Sequence, residues 1–296
     1  MSYSKLASPR ATRQVLEAFG HDPKYRFGQN FLVDDNVIGN ILELAGLLGD
    51  DAEDGLLPTV LEIGPGIGTL TVALLKHARV VSVECDPDLP AVLAQTTAEG
   101  AERFHLLRGD ALKVARADIE DACAALCAPL PTMLVANLPY QIAATAILDW
   151  FERFEFLGTM VVMVQSEVAD RICAEVGTKN YAAYTVKLRL HARVTGRFQV
   201  PASCFLPAPR VESAVIRLER VPGASPELTS AACEVADAAF AQRRKNIRNS
   251  MGSAFSKETV DALLETCGID PKTRGETLDV GTFLELGAAL RELQKA

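Results

Sequence analysis

Two kinds of hydrophobic pattern alternate along this chain. Short apolar runs recur at 59–63, 79–83, 104–108, 132–136 and 159–164. Runs of that length, bounded by turn residues, read as buried strands. Amphipathic stretches predict helices over 10–19, 36–47, 69–77, 87–99, 117–126, 142–154 and 167–175. Strands and helices in strict alternation predict an α/β fold with a largely parallel sheet. Apolar and polar residues then alternate at 186–190 and 213–218, which predicts antiparallel strands with one solvated face. Between them Cys204-Phe205-Leu206-Pro207-Ala208-Pro209-Arg210 reads as a rigid, proline-fixed loop. After a Pro- and Gly-containing linker at 221–226, helical patterns return at about 227–241, 245–254, 257–266 and 282–293. The expected division is therefore 1–220 and 221–296.

Composition adds exclusions. The 296 residues are 49% hydrophobic and 23% charged, as in ordinary globular proteins. No apolar run reaches 18 residues, so no membrane span is expected. Residues 1–13 lack the apolar stretch of a secretory signal. Seven cysteines at irregular spacing, with no C-x-x-C, fit neither a zinc site nor a disulfide framework. Reduced and mostly buried thiols in a cytoplasmic protein are the expectation. His21, His77, His105 and His191 show no metal-ligand spacing, so no metal is expected.

A net charge of −8 counts against a nucleic-acid partner at first sight. Its distribution changes the picture. Residues 32–180 carry nine Lys/Arg against 23 acids, whereas 1–31 carry five against two and 181–220 carry seven against two. Basic segments thus flank an acidic middle. Arg243, Arg244, Lys245 and Arg248 form a further cluster, with three of them expected on one helical flank. Such a cluster either binds phosphates or pairs with acids of neighbouring helices.

Candidate chemistry gathers at the predicted strand ends. The strand at 59–63 runs into Gly64-Pro65-Gly66-Ile67-Gly68. Glycines let a backbone approach a ligand closely, beside a helix N-terminus. The spacing is G-x-G-x-G rather than the dinucleotide G-x-G-x-x-G. Glu84 ends the next strand, twenty residues after Gly64, the spacing at which an acid reaches a ribose hydroxyl pair. Asp110 follows the third strand; it either accepts from an adenine amino group or caps a helix. Asn137-Leu138-Pro139-Tyr140 follows the fourth, placing an amide, a fixed turn and an aromatic ring together.

A Gly loop, two spaced acids and Asn-Leu-Pro-Tyr on successive strand ends resemble an S-adenosylmethionine methyltransferase acting on an amino nitrogen. More closely, the chain resembles the ribosomal RNA adenine dimethyltransferases of the small subunit. The likeness rests on Phe27-Gly28-Gln29-Asn30-Phe31-Leu32, Glu62-Ile63-Gly64-Pro65-Gly66, Glu84, Gly109-Asp110-Ala111-Leu112, Asn137-Leu138-Pro139-Tyr140, the segment 205–213 and the segment 243–249. It implies a Rossmann-like class I methyltransferase sheet, seven-stranded and mostly parallel, with a small C-terminal α-helical domain.

By the same resemblance, Gln29, Asn30, Leu32, Gly64, Gly66, Glu84, Asp110 and Asn137 bind S-adenosylmethionine. Asn137, Leu138, Pro139, Tyr140 and Phe205 carry the chemistry, with Tyr140 and Phe205 sandwiching the base. Lys24, Arg26, Arg210, Arg243, Arg244, Lys245 and Arg248 are the expected RNA contacts. The implied partner is 16S rRNA of the small ribosomal subunit, modified by a monomer. Gln141 stands where relatives often have Asn, and Ser166 where Lys is common. Two rivals are a large-subunit rRNA methyltransferase of the macrolide-resistance type and a non-catalytic assembly factor.

Overall fold

The computed structural model describes residues 2–24, 28–49 and 57–295. In chain order the principal elements are α1 (Pro9–Ala18), β1 (Phe31–Leu32), α2 (Asp35–Ala45), β2 (Thr59–Ile63), α3 (Thr69–Leu74), β3 (Arg79–Glu84), α4 (Leu89–Thr96), β4 (Phe104–Arg108), α5 (Arg116–Ala125), β5 (Met133–Asn137), α6 (Ala143–Arg153) and β6 (Thr159–Gln165). They continue with α7 (Ser166–Ile172), α8 (Ala183–Arg189), β7 (Ala192–Val200), β8 (Phe205–Leu206), β9 (Ser213–Arg220), α9 (Pro226–Phe240), α10 (Ile247–Met251), α11 (Lys257–Thr266) and α12 (Val280–Lys295).

Seven strands form one sheet in the order β4-β3-β2-β5-β6-β9-β7. The five from β2 to β6 pair in parallel, and β9 runs antiparallel to β6. Every residue of β2 is buried, as expected of a central strand covered on both faces. The order reverses between β2 and β5. In an open α/β sheet that switch point, at the carboxyl ends of the strands, is where ligands bind. Gly64, Glu84, Gly109 and Asn137 all fall at those ends.

The chain divides into two compact units. One comprises 1–169 and 194–219; the other comprises 170–193 and 220–296. The boundary expected at 220/221 left 170–193 with the sheet. Instead, Ala174, Tyr181 and Val186 are buried in one core with Val235 and Ala236 of α9 and Phe283 and Leu286 of α12. The Tyr181 hydroxyl donates to the Leu278 carbonyl at 2.9 Å.

The strand expected at 186–190 is the helix α8. Five residues of alternation are too short to separate the periods, and Lys187, Leu188 and Arg189 are good helix formers. The additional strand is β7, an edge strand beside β9 whose odd-numbered residues from Arg193 to Gln199 are exposed. A second, two-stranded sheet pairs Leu32 of β1 with Phe205 of β8. None of the described helices is long and apolar enough to cross a membrane. Of the seven cysteines only Cys123 and Cys204 are buried, which corrects the expectation of mostly buried thiols.

Candidate active site

A cleft of about 330 Å³ opens at the switch point of the first unit. That size suits a small ligand. Its floor is the loop after β2. Gly64 and Gly66 adopt φ of +66° and +60°, where side chains are strained. A Cβ on Gly64 would come within 3.2 Å of the Pro139 ring, and one on Gly66 within 3.1 Å of the Phe31 ring. The backbone therefore enters space that a larger residue would fill. The hydroxyl of Thr69, buried and without a hydrogen-bond partner, borders the same cleft.

Two acids from adjacent strands stand behind the floor. Glu84 is 6% exposed; its carboxylate accepts from the Asp86 N–H at 2.8 Å and the Gly66 N–H at 3.2 Å. Burial raises its pKa against the pull of those bonds. Glu62 lies deeper, 1% exposed, and one oxygen accepts from both Ser82 Oγ at 2.7 Å and Thr71 Oγ1 at 2.8 Å. Desolvation pushes its pKa up to about 7, although both hydroxyls oppose the rise.

Asp110 is arranged differently. It borders the cleft but is exposed, and its Oδ1 accepts from the Leu112 N–H at 3.0 Å. The Leu112 bond closes a turn rather than capping a helix, since α5 begins at Arg116, and Oδ2 lies 3.7 Å from Lys113 Nζ. The turn that carries it is braced from behind, since Trp150 Nε1 donates to the Ala111 carbonyl and Arg153 to that of Val114.

Asn137 ends β5 on the opposite wall. Its Nδ2 donates to the Asn30 carbonyl at 3.3 Å, which leaves Oδ1 as the acceptor atom. The Leu138 N–H donates to Met163 on β6, anchoring the turn to the sheet. Tyr140 also lines the cleft, and its hydroxyl shares a 2.7 Å hydrogen bond with the buried Ser213 Oγ. Burial raises the Tyr140 pKa despite that bond, so the phenol stays neutral. Gln29, Asn30 and Leu32 close the cleft from the N-terminal side.

Of the residues expected to bind cofactor, all eight border this one cleft, as do Leu138 and Pro139. Phe205 does not. It is 3% exposed and packed in the core with Leu32, because β8 pairs with β1 and draws its ring inward.

The basic residues divide as well. Arg210, Arg244 and Lys245 are exposed, and no acid pairs with them among the described residues. Lys24 instead pairs with Asp86 at 2.7 Å and with Asp88. Arg248 makes two bonds to Asp261, at 2.6 and 2.7 Å, and Arg243 sits 3.8 Å from Glu276. The expected single helical flank also dissolves, since Arg243 to Lys245 occupy the turn between α9 and α10. Arg26 lies outside the described residues.

Against known proteins, the family model described as ribosomal RNA adenine dimethylase matches residues 20–292. The chain belongs to this family. Its sheet is the class I methyltransferase fold, and S-adenosylmethionine is the methyl donor of this dimethylase family.

The chain is 40% identical over 293 residues to ribosomal RNA small subunit methyltransferase A of Nocardia farcinica, covering 96% of this chain and 95% of that protein. Its identity to the protein of the same name in Corynebacterium diphtheriae is 36%, covering 99% and 98%. Among solved structures it resembles a dimethyladenosine transferase from Plasmodium falciparum, with a TM-score of 0.70, 25% identity and coverage of 90% and 98%. It also resembles the 23S rRNA methyltransferase ErmE, with a TM-score of 0.62, 25% identity and coverage of 88% and 100%. The Gly64–Gly66 cradle, the buried Glu84 carboxylate and the unpartnered Thr69 hydroxyl fit the family's cofactor.

Sequence reasoning missed the partners behind the site. Asp86 and Ser213 were not singled out, although the Glu84-x-Asp86 spacing puts two acids within one turn of the β3 end. Residue type alone offered no signal for Ser213.

Proposed function

We propose that this protein dimethylates N6 of two adjacent adenines near the 3′ end of 16S rRNA, in the small ribosomal subunit, during subunit biogenesis. The observation that carries this reading is the position of Asn137-Leu138-Pro139-Tyr140 at the switch point, beside Gly64 and in the same cleft as Glu84. Gly64, Gly66, Glu84, Asp110, Asn30 and Leu32 would hold S-adenosylmethionine, which supplies an electrophilic methyl group on a sulfonium.

An adenine amino nitrogen is a poor nucleophile because its lone pair is delocalised into the ring. Asn137 Oδ1 and the Leu138 carbonyl accept its two N–H bonds. Held out of the ring plane, those hydrogens return the lone pair to nitrogen. The contribution is orientation and placed dipoles rather than strong base catalysis. A base must leave its stack to reach such a pocket. Tyr140, fixed through Ser213, offers the stacking face; Phe205 braces β1 instead. After the first transfer the alkylated nitrogen loses one proton to solvent. The one N–H that remains is held by one of the same acceptors for the second transfer, which releases that last proton likewise.

An acidic chain needs local cations to hold RNA. Arg210 in the first unit and Arg244 and Lys245 in the second are the exposed candidates without acidic partners. The small subunit is favoured over the large by relatives near 40% identity named for it, against 25% for the 23S enzyme. The working form is a cytoplasmic monomer. Incubation with labelled S-adenosylmethionine and undermethylated small subunits, followed by nucleoside analysis, tests the proposal. N6,N6-dimethyladenosine in 16S rRNA supports it. Label confined to large-subunit RNA, or no transfer, overturns it.

A further inference from the structure

Glu84 and the N-terminal segment that closes the cleft meet at one buried carboxylate that the chemistry above does not use. Asp86 is 1% exposed, two residues beyond Glu84. Its Oδ1 accepts from Lys24 Nζ at 2.7 Å and its Oδ2 from Gln29 Nε2 at 2.7 Å. The Gln29 amide oxygen in turn accepts from the Lys24 N–H at 2.8 Å and lies 3.2 Å from His21 Nε2. His21 Nε2 is 3.9 Å from Asp86. The Asp86 N–H donates to Glu84 Oε1 at 2.8 Å.

One residue therefore does two things at once. Its carboxylate holds residues 21–24 and 28–29 against the β3–α4 turn. Its backbone orients the acid that faces the cofactor. Beyond Gln29 the chain runs directly into Asn30 and Leu32 on the cleft wall. At its other end the segment meets the acceptor side: Asn137 Nδ2 bonds the Asn30 carbonyl, and the Gln141 side chain packs against the Gly28 α-carbon.

A buried acid would ordinarily resist charging. Burial does raise the Asp86 pKa, yet the Lys24 ammonium, the Asp88 N–H and the Gln29 amide outweigh it and hold the carboxyl below the usual range. Such an anion, once its partners are removed, is costly to leave in place. The strap is thus tied by a charge that needs it.

We infer that Asp86 is a positioning residue for the cofactor: with Lys24 and Gln29 it ties the segment bearing Asn30 and Leu32 across the cleft while aiming Glu84. This gives Lys24 a role inside the protein rather than on RNA. It rests on the reading of the cleft as the S-adenosylmethionine site.

The test is calorimetric titration of S-adenosylmethionine into the full chain and into Asp86→Asn, paired with transfer kinetics on undermethylated small subunits. The substitution keeps the shape and removes the charge. Loss of a charge-assisted tie should raise the Kd, and the KM for S-adenosylmethionine with it, by about tenfold. At saturating cofactor kcat should stay within about twofold, since no acceptor contact is touched. Lys24→Met, whose stem is partly exposed and not part of the core, should shift both constants in the same direction. Lys24→Arg should restore them. Asp86→Asn combined with Lys24→Met should be no weaker than Asp86→Asn alone, because the two act through one contact. An unchanged Kd in both single variants, or a fall in kcat at unchanged KM, would overturn the inference. Failure of the unaltered chain to bind S-adenosylmethionine would instead overturn the reading of the cleft itself.

Discussion

The acids of the first unit and the bases of the second are held in opposite ways. Glu62 and Glu84 are buried, and each has its partners within about twenty residues: Thr71 and Ser82 for one, Gly66 and Asp86 for the other. Arg244 and Lys245 lie in an exposed turn and pair with no acid among the described residues, while Arg248, three residues on, is fully engaged by Asp261. Buried charge is fixed because an unpaired charge there is expensive. Exposed charge is left to solvent and salt, and a pair on the surface contributes little. The cleft's buried acids are therefore preorganised in this molecule, whereas its free surface charge is defined by which cations packing has left unclaimed.

Glu62 gives the largest expected effect. Its ordinary carboxyl pKa of 4.5 rises to about 7 in the folded chain. Between those values the folded state keeps a proton that the unfolded state has lost, so stability falls as pH rises through the window and levels off above it. The shift corresponds to roughly 3 kcal/mol. Glu62→Gln should flatten stability between about pH 5 and about pH 8 and exceed the native chain at the upper end. Denaturant melts across that range measure it. A pH profile shared by the two proteins would show that Glu62 is not the buried acid described.

The two cofactor acids sharpen the same contrast. Glu84→Ala should weaken S-adenosylmethionine binding by about 1.5–3 kcal/mol, as expected for a charged hydrogen-bond partner. Asp110→Ala should cost less, because that carboxylate is exposed and one oxygen already serves Leu112. Calorimetry on both variants ranks them. The reverse order would mean that the ligand leans on the exposed acid.

The smallest effects belong to the cations. Arg244→Ala with Lys245→Ala should lower RNA affinity and flatten its salt dependence by roughly 0.7–0.9 log units for each phosphate no longer neutralised. Arg248→Ala should leave the salt slope unchanged and act on the stability of the helical unit through Asp261. Filter binding over a salt series separates them. Equal salt slopes for all three proteins would erase the distinction between claimed and unclaimed bases.

The contrast also explains what the sequence made legible. The strand at 59–63 coincides with β2, a central strand buried along its whole length, and 104–108 coincides with β4, an edge strand whose residues are mostly half-buried. The Gly loop, Glu84 and Asn137 were readable because their roles depend on a strand ending where it does. Lys24 was assigned to RNA because its partner Asp86 lies 62 residues away, and no local pattern announces that pairing. The burial of Phe205 against Leu32 was not legible, because their pairing joins two-residue strands from distant parts of the chain. Arg244, Lys245 and Arg248 were read as one helical flank, but the chain turns at 243–245 and α10 begins only at Ile247. Local periodicity reports burial well; it does not report which surface charge meets which.

The central claim is that the β2, β3 and β4 ends hold the cofactor while the β5 end activates the acceptor. Asn137→Ala tests it most directly, with S-adenosylmethionine affinity and single-turnover methyl transfer to small subunits measured on the same preparation. Cofactor affinity should remain near that of the native chain, while the transfer rate should drop on the order of 100-fold, as for loss of one placed dipole in an active site. Native transfer by Asn137→Ala, or equal loss of binding and transfer, would contradict the division of labour between the two walls.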